Sequence, residues 1–325
     1  MGIAFLGLGM QPLSRIEQIE RVPKRRYAIM APYMLKVGTL GERMMKQTAT
    51  VQMNIDYASE RDAMAKLRVG MGIAPLLTAM FANSPISDGR LNGFMTFRGH
   101  IWTDTDTDRC GLLPFVFRES CGFSDYVEYA LDVPMYFIVR DGRWIDMTAF
   151  TFRRFWTEGY QGERATLADW NAHLTTLFPE VRLKGYIEMR SIDSQAPELM
   201  LAAPAVVKGL FYEDDCLWAA WDLVKRWSWE DRVNLYHAVH RRALKARMRG
   251  IEVGELAREL IDIATAGLDR QRHGEPESEA IYLERLRELV RRGRCPADIV
   301  IEKWNGPWDR EVKRLVEGTA YRLTE

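Results

Sequence analysis

Three short polar runs carry the residue types best suited to chemistry. Thr50, Gln52 and Asn54 alternate with apolar neighbours, Arg98 pairs with His100 at the same spacing, and Glu188 pairs with Arg190. On strand faces that met, carboxylate and amide oxygens would suit a hard cation such as Mg²⁺. The guanidinium forks would suit a carboxylate or a phosphate. Any half-exposed antiparallel strand shows the same alternation. A solvated face with cross-strand ion pairs is therefore the competing reading, and on spacing alone it is the stronger one.

Other chemistry-bearing motifs are weaker. The run from Trp102 through Asp104, Asp106 and Asp108 begins like a calcium loop, but Arg109 stands where the required glycine would be and Phe115 where the bidentate glutamate would be. It reads as a polar turn open to substrate contacts. His237 and His240 lie three apart on a basic helix running through Arg241, Arg242, Lys245, Arg247 and Arg249. With no further ligands close by, this reads as a solvated face. There is no G-x-S-x-G elbow for a hydrolase triad. Gly7-x-Gly9 is followed by Pro12 and makes no dinucleotide fingerprint. Cys110, Cys121, Cys216 and Cys295 form no C-x-x-C pair or zinc spacing, consistent with free thiols in a reducing cytoplasm.

The elements that position these residues follow from periodicity. Residues Thr48 to Tyr57 alternate strictly and read as a strand. Ser59 with Asp62 forms a capping box for a helix that Pro75 interrupts or restarts. Phe94 to Trp102 reads as a second strand, with Thr96, Arg98, His100 and Trp102 on one face. Asp141-Gly142 marks a hairpin with arms Met135 to Arg140 and Arg143 to Thr148. Leu183 to Ile192 reads as one more strand, placing Tyr186, Glu188 and Arg190 together. Met1 to Met10 is apolar and reads as a buried strand. Beyond Pro197 the period becomes helical. One stripe is Val253, Leu256, Leu260, Ile261, Ala264 and Leu268, and another is Leu283, Leu286, Leu289 and Val290. The expected class is α+β: a sheet-bearing catalytic core over 1–196, and a helical part over 197–325 packed on the sheet or forming a small bundle.

The 325 residues carry 45 Lys+Arg against 45 Asp+Glu. This balance argues against a nucleic-acid binder, which normally has a basic excess. Ten Trp, 12 Tyr and 13 Phe exclude a mainly disordered chain. No run is long and apolar enough to span a bilayer.

Several long strings, in order, resemble the plant-type glutamate–cysteine ligases, a family also found in bacteria. They are Met44-Met-Lys-Gln-Thr-Ala-Thr-Val-Gln-Met-Asn-Ile-Asp56, Ala82-Asn-Ser-Pro85, Arg98-Gly-His-Ile-Trp-Thr-Asp-Thr-Asp106, Ala130-Leu-Asp-Val-Pro-Met-Tyr-Phe137, His173-Leu-Thr-Thr-Leu-Phe-Pro-Glu-Val-Arg-Leu-Lys184 and Tyr186-Ile-Glu-Met-Arg190. The resemblance is dense from Leu8 to Glu213, and Trp304-Asn-Gly-Pro-Trp308 still resembles the family's ending. It implies a glutamine-synthetase-like fold, in which an antiparallel sheet forms a funnel backed by helices. It implies an ATP- and Mg²⁺-dependent reaction that joins the γ-carboxylate of glutamate to the amine of cysteine through a γ-glutamyl phosphate, the first step towards glutathione. Its partners would be the small-molecule substrates, and the free thiols are what point to a cytoplasmic protein.

Residue by residue, the resemblance makes Gln52 and Glu188 Mg²⁺ ligands and Arg190 the phosphate-neutralising group. It makes Arg98 the clamp on the glutamate α-carboxylate, and Tyr136 and Trp102 walls of the cysteine pocket. With these roles the polar faces read as a site rather than as solvated surface. Two departures from the family pattern stand out. The family begins with a segment bearing a Glu-His-Glu strand and a Gly-Gly-Gln-Leu-Glu motif, and this sequence lacks it. That raises three expectations: an incomplete product of a longer reading frame, a chain that needs a partner, or a catalytically incomplete homologue that binds without turnover. A related ligase with another amine acceptor is a further alternative. The second departure is in redox control. Plant members carry a cysteine pair around the hairpin, whereas here Met147 occupies one matching position and no Cys lies between it and Cys216. Disulfide switching is not expected.

Overall fold

A computed structural model describes residues 3–272 and 274–321. Its centre is a 21-residue helix, α1 (Glu60–Met80). The Ser59 hydroxyl caps it by accepting from the Asp62 N–H at 3.2 Å, and the Asp62 carboxylate accepts from the Ala58 N–H at 2.8 Å. Pro75 does not interrupt this helix, contrary to expectation. From Val69 to Met80 every residue is buried, and packing on all sides outweighs the one backbone hydrogen bond that proline forfeits.

One side of α1 carries a three-stranded antiparallel sheet formed by β1 (Thr50–Ile55), β2 (Val181–Leu183) and β3 (Ile187–Asp193), in the order β1-β3-β2. In β1 the alternation has the expected sense, with Thr50, Gln52 and Asn54 exposed and Met53 and Ile55 buried. Met189 pairs with both Met53 and Val181, and this apolar face lies on the helix. Gly70 of α1 makes the approach possible. A Cβ there would come within 3.2 Å of Met189 Sδ and 3.3 Å of Val181 Cγ2.

The expected single strand Leu183 to Ile192 is two strands. The chain reverses over Lys184–Tyr186, where the Lys184 N–H donates to the Tyr186 carbonyl at 2.8 Å. A register shift lies opposite Gln52, between the Val51–Ile192 and Met53–Met189 pairs.

The expected strand from Phe94 to Trp102 is instead α2 (Phe97–Thr103), a two-turn helix. The Thr96 hydroxyl accepts from the Gly99 N–H at 3.0 Å and starts the helix. Arg98 and Trp102 still share a face, now by a spacing of four rather than by alternation. The Asp141-Gly142 hairpin forms as expected, with Phe137–Arg140 paired to Arg143–Asp146 and positive φ at Asp141 (49°) and Gly142 (74°).

The expected strand from Met1 to Met10 is not one. Met1 and Gly2 fall outside the described residues, and Ile3 and Phe5 are exposed. Leu6 and Met10 make isolated bridges to Ala320 and Thr48.

The other side of α1 is helical. α3 (Asp214–Val224), α4 (Trp229–Arg242) and α5 (Val253–Arg270) pack against it. Gly72, where a Cβ would meet Val224 Cγ2 at 2.8 Å, lets α3 come close. The stripe of α5 is buried as expected at Val253, Leu260, Ile261, Ala264 and Leu268. The main core is one continuous cluster reaching from Met53 in the sheet to Ala297 near the C-terminus. The class is α+β. No helix among the described residues is long and apolar enough to cross a membrane.

Candidate active site

The face of the sheet turned away from α1 gathers most of the residues singled out in the sequence. β2 and β3 pair Arg182 with Glu188, and both side chains stand on this face. Arg182 Nε donates to Glu188 Oε2 at 2.5 Å, and the Gln52 side-chain amide donates to Glu188 Oε1. Two further cations close in on the same carboxylate, Arg190 at 3.6 Å and Lys184 at 3.7 Å.

Burial alone would raise the Glu188 pKa. The Arg182 hydrogen bond and the charges of Arg182, Arg190 and Lys184 outweigh it and hold the group below its ordinary value. Arg190 is moved the other way. Burial first, and the Arg182 charge second, pull it down to about 10, against the pull of Glu188.

An aromatic wall lines this group. The Arg190 guanidinium lies 5.5 Å from the Trp102 ring and 5.6 Å from Phe178, and those two rings are 5.6 Å apart. The buried indole N–H of Trp102 finds no acceptor among the described residues. Arg98 joins from α2. It is only 4% exposed, its Nη2 donates to the Arg190 carbonyl at 2.8 Å, and its Nη1 lies 3.7 Å from Asp193. Gln52, Glu188, Arg190, Arg98 and Trp102 therefore form one connected group.

Tyr136 sits one layer away. It is buried beside Met30, Met34 and Phe137, with Phe178 packed against that cluster. The Arg109 guanidinium lies 3.9 Å over its ring, and its hydroxyl points to Asp106 at 3.4 Å.

In the acidic run expected as a polar turn, Asp104 and Asp106 are engaged within the fold while Asp108 stays exposed. Asp106 accepts from Arg109 Nε at 2.5 Å, and Asp104 accepts from the Thr39 hydroxyl and backbone N–H. His240 is not on a solvated face either. It is 1% exposed, burial drives its pKa to about 3, and neither ring nitrogen has a partner among the described residues. The sequence reading missed Arg182 and Lys184. Their signal was the Val181-Arg-Leu-Lys184 alternation ahead of Gly185, a strand end followed by a turn.

The set does not suit Mg²⁺ by itself. Both Glu188 oxygens already accept hydrogen bonds, three cations stand within 4 Å of it, and no cluster of three His, Cys, Asp or Glu able to hold a metal occurs among the described residues. Charge and donor count suit an anion instead.

The comparisons with known proteins decide the family. The model of glutamate-cysteine ligase family 2 (GCS2) matches residues 1–318. This chain belongs to that family. It is 46% identical over 324 residues to the chloroplastic glutamate–cysteine ligase of Arabidopsis thaliana, covering 99% of this chain and 61% of the relative. The Brassica juncea enzyme of the same name is 45% identical and the Medicago truncatula enzyme 44%, each over 99% of this chain and over 62% and 63% of the relative. The chain thus spans about three fifths of the length of these curated relatives. All three are named as chloroplastic, so the expectation of a cytoplasmic protein does not stand.

Proposed function

We propose that this chain carries the substrate-activating face of an ATP-dependent ligase that joins the γ-carboxylate of glutamate to the amine of cysteine. The observation that carries the reading is the concentration of Arg182, Lys184 and Arg190 around one carboxylate in a chain that matches this family along its length. In the first step a γ-carboxylate oxygen bonds to the γ-phosphorus of ATP, and the bond to the ADP oxygen breaks. In the second the cysteine nitrogen bonds to the carbonyl carbon, phosphate leaves, and the nitrogen gives up a proton.

Two anions must meet in the first step. At ~4 Å and an effective dielectric near 20, their repulsion is about 4 kcal/mol for each pair of unit charges. Arg190, Arg182 and Lys184 supply the opposing charge. Arg98 is assigned to the α-carboxylate of glutamate, whose planar geometry its fork matches. Trp102 and Phe178 exclude water from the acyl phosphate, and Trp102 brings an unused N–H donor. Tyr136 supports that wall from behind through the cluster it shares with Phe178.

Mg²⁺ would have to enter with the triphosphate. Gln52 and Glu188, already bonded to each other and to Arg182, do not form a ligand set for it, and no step is routed through the ion. The three-stranded sheet is read as part of a glutamine-synthetase-like funnel, a reading supported by its antiparallel order and by the helices behind it.

Purified protein given ATP, Mg²⁺, glutamate and cysteine is expected to release phosphate only when all are present. Glutamate labelled with ¹⁸O in the γ-carboxylate should pass one label to the phosphate. Unlabelled phosphate would exclude the acyl phosphate, and release indifferent to cysteine would exclude that acceptor.

A further inference from the structure

A second carboxylate lies on the same face and none of the roles above uses it. Val181 pairs with Met189 and Arg182 with Glu188, so the register places Glu180 opposite Arg190. The Arg190 N–H donates to the Glu180 carbonyl at 3.0 Å, which continues the ladder. By alternation the Glu180 side chain stands with Arg182 and Glu188, away from α1.

The two glutamates differ in what holds them. Both oxygens of Glu188 are taken, one by Gln52 and one by Arg182. Glu180 is 8% exposed, and its Oε1 accepts from the Tyr236 hydroxyl of α4 at 2.7 Å. No Lys, Arg or His nitrogen among the described residues lies within 4 Å of it, and its second oxygen has no donor there. One oxygen of this carboxylate is therefore left free to accept from a donor that enters the site. The rest of the face carries Arg182, Lys184 and Arg190. The site therefore has a cationic end and, across from Arg190, a carboxylate with one oxygen unengaged. That is the complement of a zwitterion.

We propose that Glu180 is the acceptor for the α-ammonium group of the glutamate activated here, with Tyr236 holding the carboxylate in place. This rests on the ligase reading and deepens it: Arg98 and Glu180 together would read the two charges of the amino-acid backbone, leaving the γ-carboxylate to the cationic end.

The test compares glutamate with glutarate, which lacks only the ammonium group, by calorimetry on the whole chain without nucleotide. The unmodified protein is expected to prefer glutamate by about tenfold or more, the size of one charge-assisted hydrogen bond. Glu180→Gln should bring the ratio close to one by weakening glutamate and sparing glutarate. Tyr236→Phe keeps the ring and the carboxylate, and should lower the ratio by about two- to fivefold, the worth of one hydrogen bond. If Glu180→Gln fails to fold, Tyr236→Phe carries the test. A ratio unchanged in the folded variants, in a protein that still makes the dipeptide, overturns the Glu180 assignment and leaves the ligase reading intact. A protein that binds neither amino acid and releases no phosphate overturns both.

Discussion

At Glu188, burial and charge act in opposite directions, and the balance makes a prediction. Burial disfavours the carboxylate, yet Arg182, Arg190 and Lys184 together hold its pKa below the ordinary value. A carboxylate depressed in this way stabilises the fold above its unfolded pKa. That stability is lost as the pH falls through the lower folded value. Glu188→Gln should therefore abolish ligation and also cost about 3 kcal/mol at neutral pH, because it leaves Arg182 buried beside a neutral amide. Denaturant melts between pH 3 and pH 7 check this (a window set by the ordinary glutamate pKa near 4.3). The variant should show a flatter dependence than the parent below about pH 4.5, where protonation removes the same interaction from the parent. A variant as stable as the parent at neutral pH would mean that the Arg182 pair contributes little, and that Glu188 acts only on the substrate.

Among the elements, α1 sets where the functional face stands. Gly70 touches both Met189 and Val181, the residues that alternate with Glu188, Arg190 and Arg182 along the two strands. Gly70→Leu would push the sheet outwards at this contact. The expected cost is about 1–3 kcal/mol from overpacking, with weaker binding of ATP because the cationic side chains move with their strands. A denaturation midpoint and a nucleotide titration read the two effects. Unaltered ATP affinity at reduced stability would show that the face is held by its own ion pairs rather than by the helix.

The same elements explain what the sequence disclosed. β1 was legible because one face meets α1 and the other meets solvent, which is what strict alternation records. The hairpin was legible because Asp141-Gly142 supplies two positive-φ residues. The segment from Phe94 to Trp102 was misread because a two-turn helix is too short for its period to stand out from alternation. Its informative signal was Thr96 three residues before Gly99, a hydroxyl placed to cap. Arg182 escaped because the reversal over Lys184–Tyr186 was read as the start of one strand opening at Leu183, which left Arg182 outside it. Asp106 and His240 could not be placed from sequence at all. Their partners, or lack of them, come from Arg109 and from the packing of α4, and no local pattern reports burial of a polar group.

At the scale of the whole molecule, the sheet-bearing and helical parts share one core rather than each having its own. The apolar face of the sheet lies on α1. The far side of α1 is covered by α3, α4 and α5, all of which lie beyond residue 196. Removing them would expose the side of α1 on which Gly72 meets Val224, together with Leu76 and Met80 one and two turns on, which are fully buried in the intact chain. At roughly 1.5–3 kcal/mol for each large apolar side chain uncovered, a few such residues match the 5–15 kcal/mol by which a whole domain is normally stable. A fragment of residues 1–196 is thus expected to lack a cooperative melt and near-ultraviolet circular dichroism, while the intact chain melts in a single calorimetric transition. Two separate endotherms in the intact chain, or a sharp one in the fragment, would show that the sheet bears its site without the helices. Tyr236 argues against that outcome from the site itself. It binds Glu180 from α4, so the helical part contributes to the geometry of the face as well as to its stability.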